Sequence, residues 1–139
     1  MTKSFSLLLF AAIATVSLRS QTVNYTTDSL KKILCKTWEM QYADFGGMKI
    51  GAKPGVNMVV LTFRGDNKVI VTGTATDDKP EQQDWIYNVK EKYVSILKNK
   101  KEKMRIINLT DDDMVIKVTD TQNAPADLGE TKFILKPRE

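Results

Sequence analysis

The 139-residue chain contains no histidine. With it go the commonest general base, the commonest transition-metal ligand and the usual switch near neutral pH. It has a single cysteine, Cys35, which excludes an internal disulfide and a cysteine-rich metal site. In an oxidising compartment a lone thiol is expected to be packed away, and Cys35 falls on the apolar side of a short predicted helix. No serine sits in a nucleophile turn, and no pair of carboxylates lies on inward strand positions. The usual acid–base and nucleophilic constellations therefore cannot be assembled, and the chain is read as a non-enzyme. No cofactor and no metal site is expected. The formal net charge is +4, too small and too scattered for a nucleic-acid face, so no nucleic-acid partner is expected.

What is present is a hydrophobic leader followed by alternating patterns. Residues 1–20 read as an export signal: Lys3 supplies the positive start, Phe5 to Leu18 form the apolar stretch, and Arg19 ends it. The stretch is shorter than the roughly 20 apolar residues of a bilayer span. Cleavage is expected between Ser20 and Gln21, with Ser17 as the alternative. No cysteine lies just after the apolar run to carry a lipid, so the mature chain is expected to be secreted or periplasmic, with no transmembrane segment. Removal of Lys3 and Arg19 lowers the net charge from +4 to +2.

The remainder, 21–139, is long enough for one domain and one core. Thr27 or Asp28 is placed to cap a helix carrying Leu30, Ile33 and Leu34 on one side and Lys31 and Lys32 on the other. The run Lys36-Thr37-Trp38-Glu39-Met40-Gln41-Tyr42 then alternates with a period of two, which sends Trp38, Met40 and Tyr42 to one face of a strand. The glycine-rich stretch Phe45 to Gly55 reads as a long loop over a barrel mouth, with Phe45, Met48 and Ile50 as lid residues. It has no lysine–serine/threonine pair and no following helix, so it is not a phosphate cradle.

Residues 57–73 form the strongest hairpin pattern. Val59, Leu61 and Phe63 share one face, Arg64-Gly65-Asp66-Asn67 turns, and Lys68 to Thr72 returns. Met58, Val60 and Ile70 are apolar on the other face. A polar loop, Asp77 to Gln83, leads to a strand facing inward through Trp85, Tyr87 and Val89, and Glu91-Lys92 turns it into Tyr93 to Leu97. Lys98 to Lys103 reads as a solvated hairpin tip. Met104 to Leu109 and Met114 to Val118 pair across Thr110 to Asp113, where aspartates bond their own backbone and need no metal. A loop from Asp120 to Glu130 leads to the last strand, Thr131 to Lys136, which stops at Pro137.

These runs make about eight strands, the number at which an antiparallel up-and-down sheet closes and still holds one small ligand. The expected fold is all-β: an eight-stranded barrel with a short N-terminal helix. Its candidate ligand-binding residues are the large, soft inward ones: Met40, Tyr42, Leu61, Phe63, Trp85, Tyr87, Met104 and Phe133.

Five features together are similar to the lipocalin-like proteins exported by Bacteroidetes. They are the capped helix, Leu34-Cys35-Lys36-Thr37-Trp38, Leu61-Thr62-Phe63 before Gly65-Asp66-Asn67, Trp85 opening a middle strand, and Leu109-Thr110-Asp111-Asp112-Asp113-Met114-Val115-Ile116-Lys117. The resemblance spans Leu30 to Lys136. It implies a calycin-type barrel in the periplasm or outside the cell, with an apolar cavity and no specified ligand. Lipocalins proper carry glycine two residues before the first-strand tryptophan, where this chain has Lys36. The resemblance also implies a structural base in which Arg138, or Lys136, packs across Trp38, a contact worth about 0.5 to 2 kcal/mol. Two functions follow. The first is a binding protein holding a small, mostly apolar ligand inside the barrel. The second is a protein-interaction or inhibitor-type barrel that uses an outer face, through Met58, Val60, Ile70 and Ile86, or its loops.

Overall fold

Alternation of apolar and polar side chains folds into a wrapped sheet. The computed structural model describes residues 23–53, 59–73, 79–120 and 130–138. The expected export signal at 1–20, Met58, and most of the Asp120 to Glu130 connection lie outside them. Within them are one helix, α1 (Thr27–Leu34), and nine strands: β1 (Thr37–Phe45), β2 (Met48–Gly51), β3 (Val60–Phe63), β4 (Lys68–Thr72), β5 (Glu81–Asn88), β6 (Tyr93–Lys98), β7 (Lys101–Leu109), β8 (Met114–Val118) and β9 (Thr131–Pro137). The sheet runs β2-β1-β3-β4-β5-β6-β7-β8-β9, and β1 also pairs with β9. An antiparallel barrel of eight strands is thereby closed, with β2 as an extra strand on β1.

The seam sets Trp38 opposite Pro137, Met40 opposite Leu135, Ala43 opposite Phe133 and Phe45 opposite Thr131, with a register shift between Met40 and Tyr42. One extra residue in β1 reverses which alternate side chains face inward. Trp38, Met40 and Ala43 are buried while Tyr42 is half-buried. Tyr42 therefore leaves the inward set expected for it: it lies opposite Ile134, on the outer face, with the Lys49 ammonium 5.2 Å from its ring centroid.

Residues 45–51 also differ from the expected loop. Gly46 and Gly47 both have positive φ (60° and 104°), the backbone of a two-residue hairpin turn, and the Asp44 carboxylate accepts the Gly47 amide at 2.7 Å. β1 and β2 consequently form a tight hairpin. Val89, expected to face inward, lies instead in the turn after β5 and is 60% exposed. The polar loop before β5 is also shorter than expected, because Glu81 to Gln83 are already strand.

One end of the barrel is sealed by the N-terminal residues. The Thr26 side chain, one residue earlier than expected, caps α1 by accepting the Ser29 amide at 3.2 Å. Leu30 and Leu34 are fully buried, which a helix this short needs because it is not stable alone. The Trp38 indole N–H donates to the Leu34 carbonyl at 3.0 Å, so the last turn of α1 is tied to the first strand. The Lys36 ammonium lies 5.0 Å from the Trp38 ring centroid and donates to the Asp111 carbonyl at 3.0 Å. The expected base pair is thus corrected. Arg138 forms an ion pair with Glu39 and Lys136 one with Asp113 at 2.8 Å, and the cation over the indole is Lys36. Cys35 is half-buried against the core, and burial pushes its thiol pKa up, aided by Asp66 and opposed by Lys31.

Upstream of α1, Val23 is fully buried and its amide donates to the Lys92 carbonyl at 3.1 Å. The Tyr87 hydroxyl donates to the Tyr25 carbonyl at 2.7 Å and accepts the Tyr25 amide at 3.1 Å, while the Tyr25 hydroxyl donates to the Leu109 carbonyl at 2.7 Å. Tyr87→Phe removes one donor and one acceptor from this strap. It is expected to cost about 1–2 kcal/mol and to make the 23–26 segment more sensitive to protease. Thermal unfolding and limited proteolysis check it, and unchanged behaviour in both would mean the strap is held by Val23 and by the Tyr25–Leu109 bond without Tyr87.

Candidate functional site

The barrel interior changes character along its axis. At the helix-covered end Trp38, Val69, Ile106, Met114 and Leu135 have no exposed surface. Met40 (3%), Ala43 (4%), Val59 (6%), Gln83 (8%) and Met104 (8%) keep a little exposure, although Met40 stands directly opposite Leu135 and Gln83 opposite Val69. The cover is therefore least complete at these five positions.

One wall of the interior is apolar. In antiparallel pairs, residues directly opposite each other project to the same side. Register places Met48 opposite Phe45, Ile50 opposite Ala43, and Phe133 opposite Ala43. Ala43, Phe45, Met48, Ile50 and Phe133 accordingly line a single face continuous with the barrel interior. Met48 is 57% and Ile50 41% exposed. Large apolar side chains left open on an inward face are a more informative observation than the same residues scattered outside.

The facing wall is polar. Glu81 and Gln83 keep the inward phase of Trp85 on β5, and the pairing of Asp84 with Leu97 sets Lys98 beside them. Glu81 and Lys98 form an ion pair. The Lys98 hydrogen bond holds the Glu81 carboxyl below its usual range against some desolvation, helped by a hydrogen bond from Gln83 and the charge of Lys103. Lys103 in turn pairs with Asp120 at 2.5 Å.

Behind this wall, on the outer face, the Arg105 guanidinium grips Glu102 through two hydrogen bonds (3.1 and 3.0 Å) and lies 3.9 Å from the Tyr93 ring centroid. Ser95 donates to the same carboxylate at 2.6 Å. Burial alone would raise the Glu102 pKa, but the hydrogen bonds from Arg105 and Ser95 outweigh it and leave it lowered. A carboxyl depressed in the folded state contributes stability above its unfolded pKa of about 4.3 that is lost as pH falls through the folded value. Glu102→Gln is therefore expected to lower stability near neutral pH and to flatten the acid limb below about pH 4.5. Chemical denaturation from pH 7 to 3 measures this, and an unaltered limb would assign the acid sensitivity elsewhere.

The eight residues singled out for binding divide three ways. Leu61, Phe63 and Trp85 lie in the sealed half at 0%, 2% and 1% exposure; the Trp85 indole N–H donates to the Arg64 carbonyl at 2.9 Å. Tyr87 holds the N-terminal strap, and Tyr42 is on the outer face. Met40, Met104 and Phe133 remain at the open half. Ala43, Gln83, Glu81 and Lys98 were not among the expected site residues, and Phe45, Met48 and Ile50 enter as wall residues in place of a lid. The β5 pattern Gln83-x-Trp85-x-Tyr87 carried a signal for Gln83.

A separate crevice of about 380 Å³ lies on the outside of β4, β5 and β6, between Lys68, Asp84, Ile86, Leu97 and Lys100. Among the described residues no three or more side chains able to ligate a metal come together.

The closed eight-stranded antiparallel barrel, helix-covered at one end, defines the class: the chain has a lipocalin-like fold. A lipocalin-like protein from Bacteroides uniformis superposes on it with a TM-score of 0.50 at 11% identity, over 76% of this chain and 98% of that one. At that identity the likeness concerns the fold alone. No protein-family model and no curated protein matches the sequence.

Proposed function

We propose that this chain is an exported binding protein that holds a small, mostly apolar ligand in the open half of its barrel. The observation that carries the reading is the apolar inner face of Ala43, Phe45, Met48, Ile50 and Phe133, whose two β2 members are exposed while the opposite end is sealed. Concave apolar walls with a few polar groups opposite them are the usual form of a small-molecule site. The polar groups here are Glu81, Gln83 and Lys98, and no catalytic role is assigned to them. Export rests on the leader 1–20 and places the protein in the periplasm or outside the cell.

Titration of the mature chain with a fluorescent long-chain fatty acid tests the ligand reading, with native mass spectrometry of protein purified from its own host to detect a carried molecule. Saturable one-to-one uptake supports it. No uptake and no bound mass would overturn it.

A second reading, a protein-interaction or inhibitor-type barrel of the cell envelope, draws on the outer crevice and on Ile86, which is 54% exposed beside it. Val60 and Ile70 are half-buried and add less to that face. Size-exclusion chromatography with light scattering separates the two. A clean monomer that binds the fatty acid favours the first, and a partner lost on Ile86→Lys favours the second.

A further inference from the structure

Gln83 is 8% exposed on an inward strand position, and its Oε1 is buried without a hydrogen-bond partner among the described residues. Gln83 shares the inward phase of Glu81 and Trp85 on β5 and stands opposite the buried Val69, so its side chain is on the inner face of the sheet, and the unpaired atom is the amide oxygen, an acceptor. Nearly all buried polar atoms in folded proteins are paired, and each unpaired one costs stability. A leucine or methionine at this position would fill the layer without that cost. The core it faces holds Met40 and Met104, unbranched side chains that yield to an incoming group more readily than branched ones.

We propose that Gln83 is a specificity-determining residue, and that the barrel selects amphipathic ligands carrying a neutral hydrogen-bond donor, a hydroxyl or amide N–H, that reaches the inner face of β5 and donates to Gln83 Oε1. This rests on the ligand reading above and narrows its substrate class. The group must be a donor because the free atom is an acceptor. It must be neutral because a charged group taken to this depth loses its water without a counter-ion dedicated to it, so a fatty acid binds through its chain alone, with its carboxylate left in water at the barrel mouth and this contact unmade. The apolar remainder of the ligand then lies along Phe45, Met48, Ile50 and Phe133.

The test uses three probes of one chain length, 1-dodecanol, its methyl ether and dodecane, against the mature wild-type chain, Gln83→Met and Gln83→Leu. In the wild type the alcohol is expected to bind about tenfold tighter than the ether, because a donor satisfies Oε1 and an ether leaves it unpaired. In both variants that preference disappears while dodecane binds as well or better. Without ligand, both variants are expected to melt a few degrees higher, since an unpaired buried acceptor has been removed. Equal binding of alcohol and ether by the wild type would overturn the proposal and leave the ligand reading standing. A lower melting temperature in both variants with the preference intact would make Gln83 a structural residue and also overturn it. Failure of all three probes, with the fatty acid, would overturn both readings.

Discussion

Trp38→Ala is expected to lower the free energy of unfolding by about 3–5 kcal/mol, the range for truncating a large buried aromatic. Three separate connections pass through this side chain. It is fully buried and sits across the seam from Pro137. Its indole N–H is the bond that ties α1 to the barrel, and its ring carries the Lys36 ammonium, which reaches on to the turn between β7 and β8. Removing the ring leaves a cavity, leaves the Leu34 carbonyl without the indole donor, and frees a cation from its aromatic partner. Trp38→Phe separates these effects. It keeps much of the packing and loses the indole donor, so its cost is expected to be smaller, about 1–2 kcal/mol. Lys36→Ala should cost less again, about 0.5–1 kcal/mol for a cation–π contact close to solvent. Equilibrium urea unfolding measures all three. A Trp38→Ala cost under about 1 kcal/mol would mean that the base closes without the indole, since surface changes usually stay within about half that.

The order of these costs also explains what could and could not be read in advance. Strands such as β3 and β4 were legible because their alternation runs unbroken from Val59 to Val71, and every inward member is buried. β1 was legible only up to Met40. The register shift there makes Ala43, a small residue, the inward one and sends the larger Tyr42 outside. A period-two reading weighted by side-chain size selects the wrong residue at such a point.

The site suffered from the same bulge. Because the glycines at 46 and 47 turn the chain back tightly, Met48 and Ile50 become a wall on the edge of β1, where a loop reading made them a lid. Gln83 was in phase with Trp85 and Tyr87, yet a glutamine in a strand is normally read as an outward residue. Only its burial shows otherwise. The cation at the base was misassigned for a different reason. Chain order favoured Arg138, whereas the backbone places Glu39 within its reach and leaves Lys36 over the ring.

Met48→Asp combined with Ile50→Asp is expected to weaken fatty-acid binding about a hundredfold, or roughly 2.7 kcal/mol, while shifting the melting temperature little. Both side chains are substantially exposed in the free protein, so their replacement disturbs no packed core, and substitutions of that kind usually change stability by no more than about 0.5 kcal/mol. The bound state is different. An acyl chain lying along Phe45 and Phe133 would cover positions 48 and 50, removing apolar surface from water at about 25 cal/mol per Å². Two carboxylates there would forfeit that gain and would have to be desolvated against hydrocarbon, which is costly without partners. Lys49→Ala is the control, because Lys49 stands on the opposite side of the same strand, over Tyr42. It should leave affinity unchanged. Fluorescence titration of the two variants beside the wild type decides the matter. If the double variant binds the fatty acid as tightly as Lys49→Ala does, the ligand does not use this face, and the outer crevice beside Ile86 becomes the better place to look.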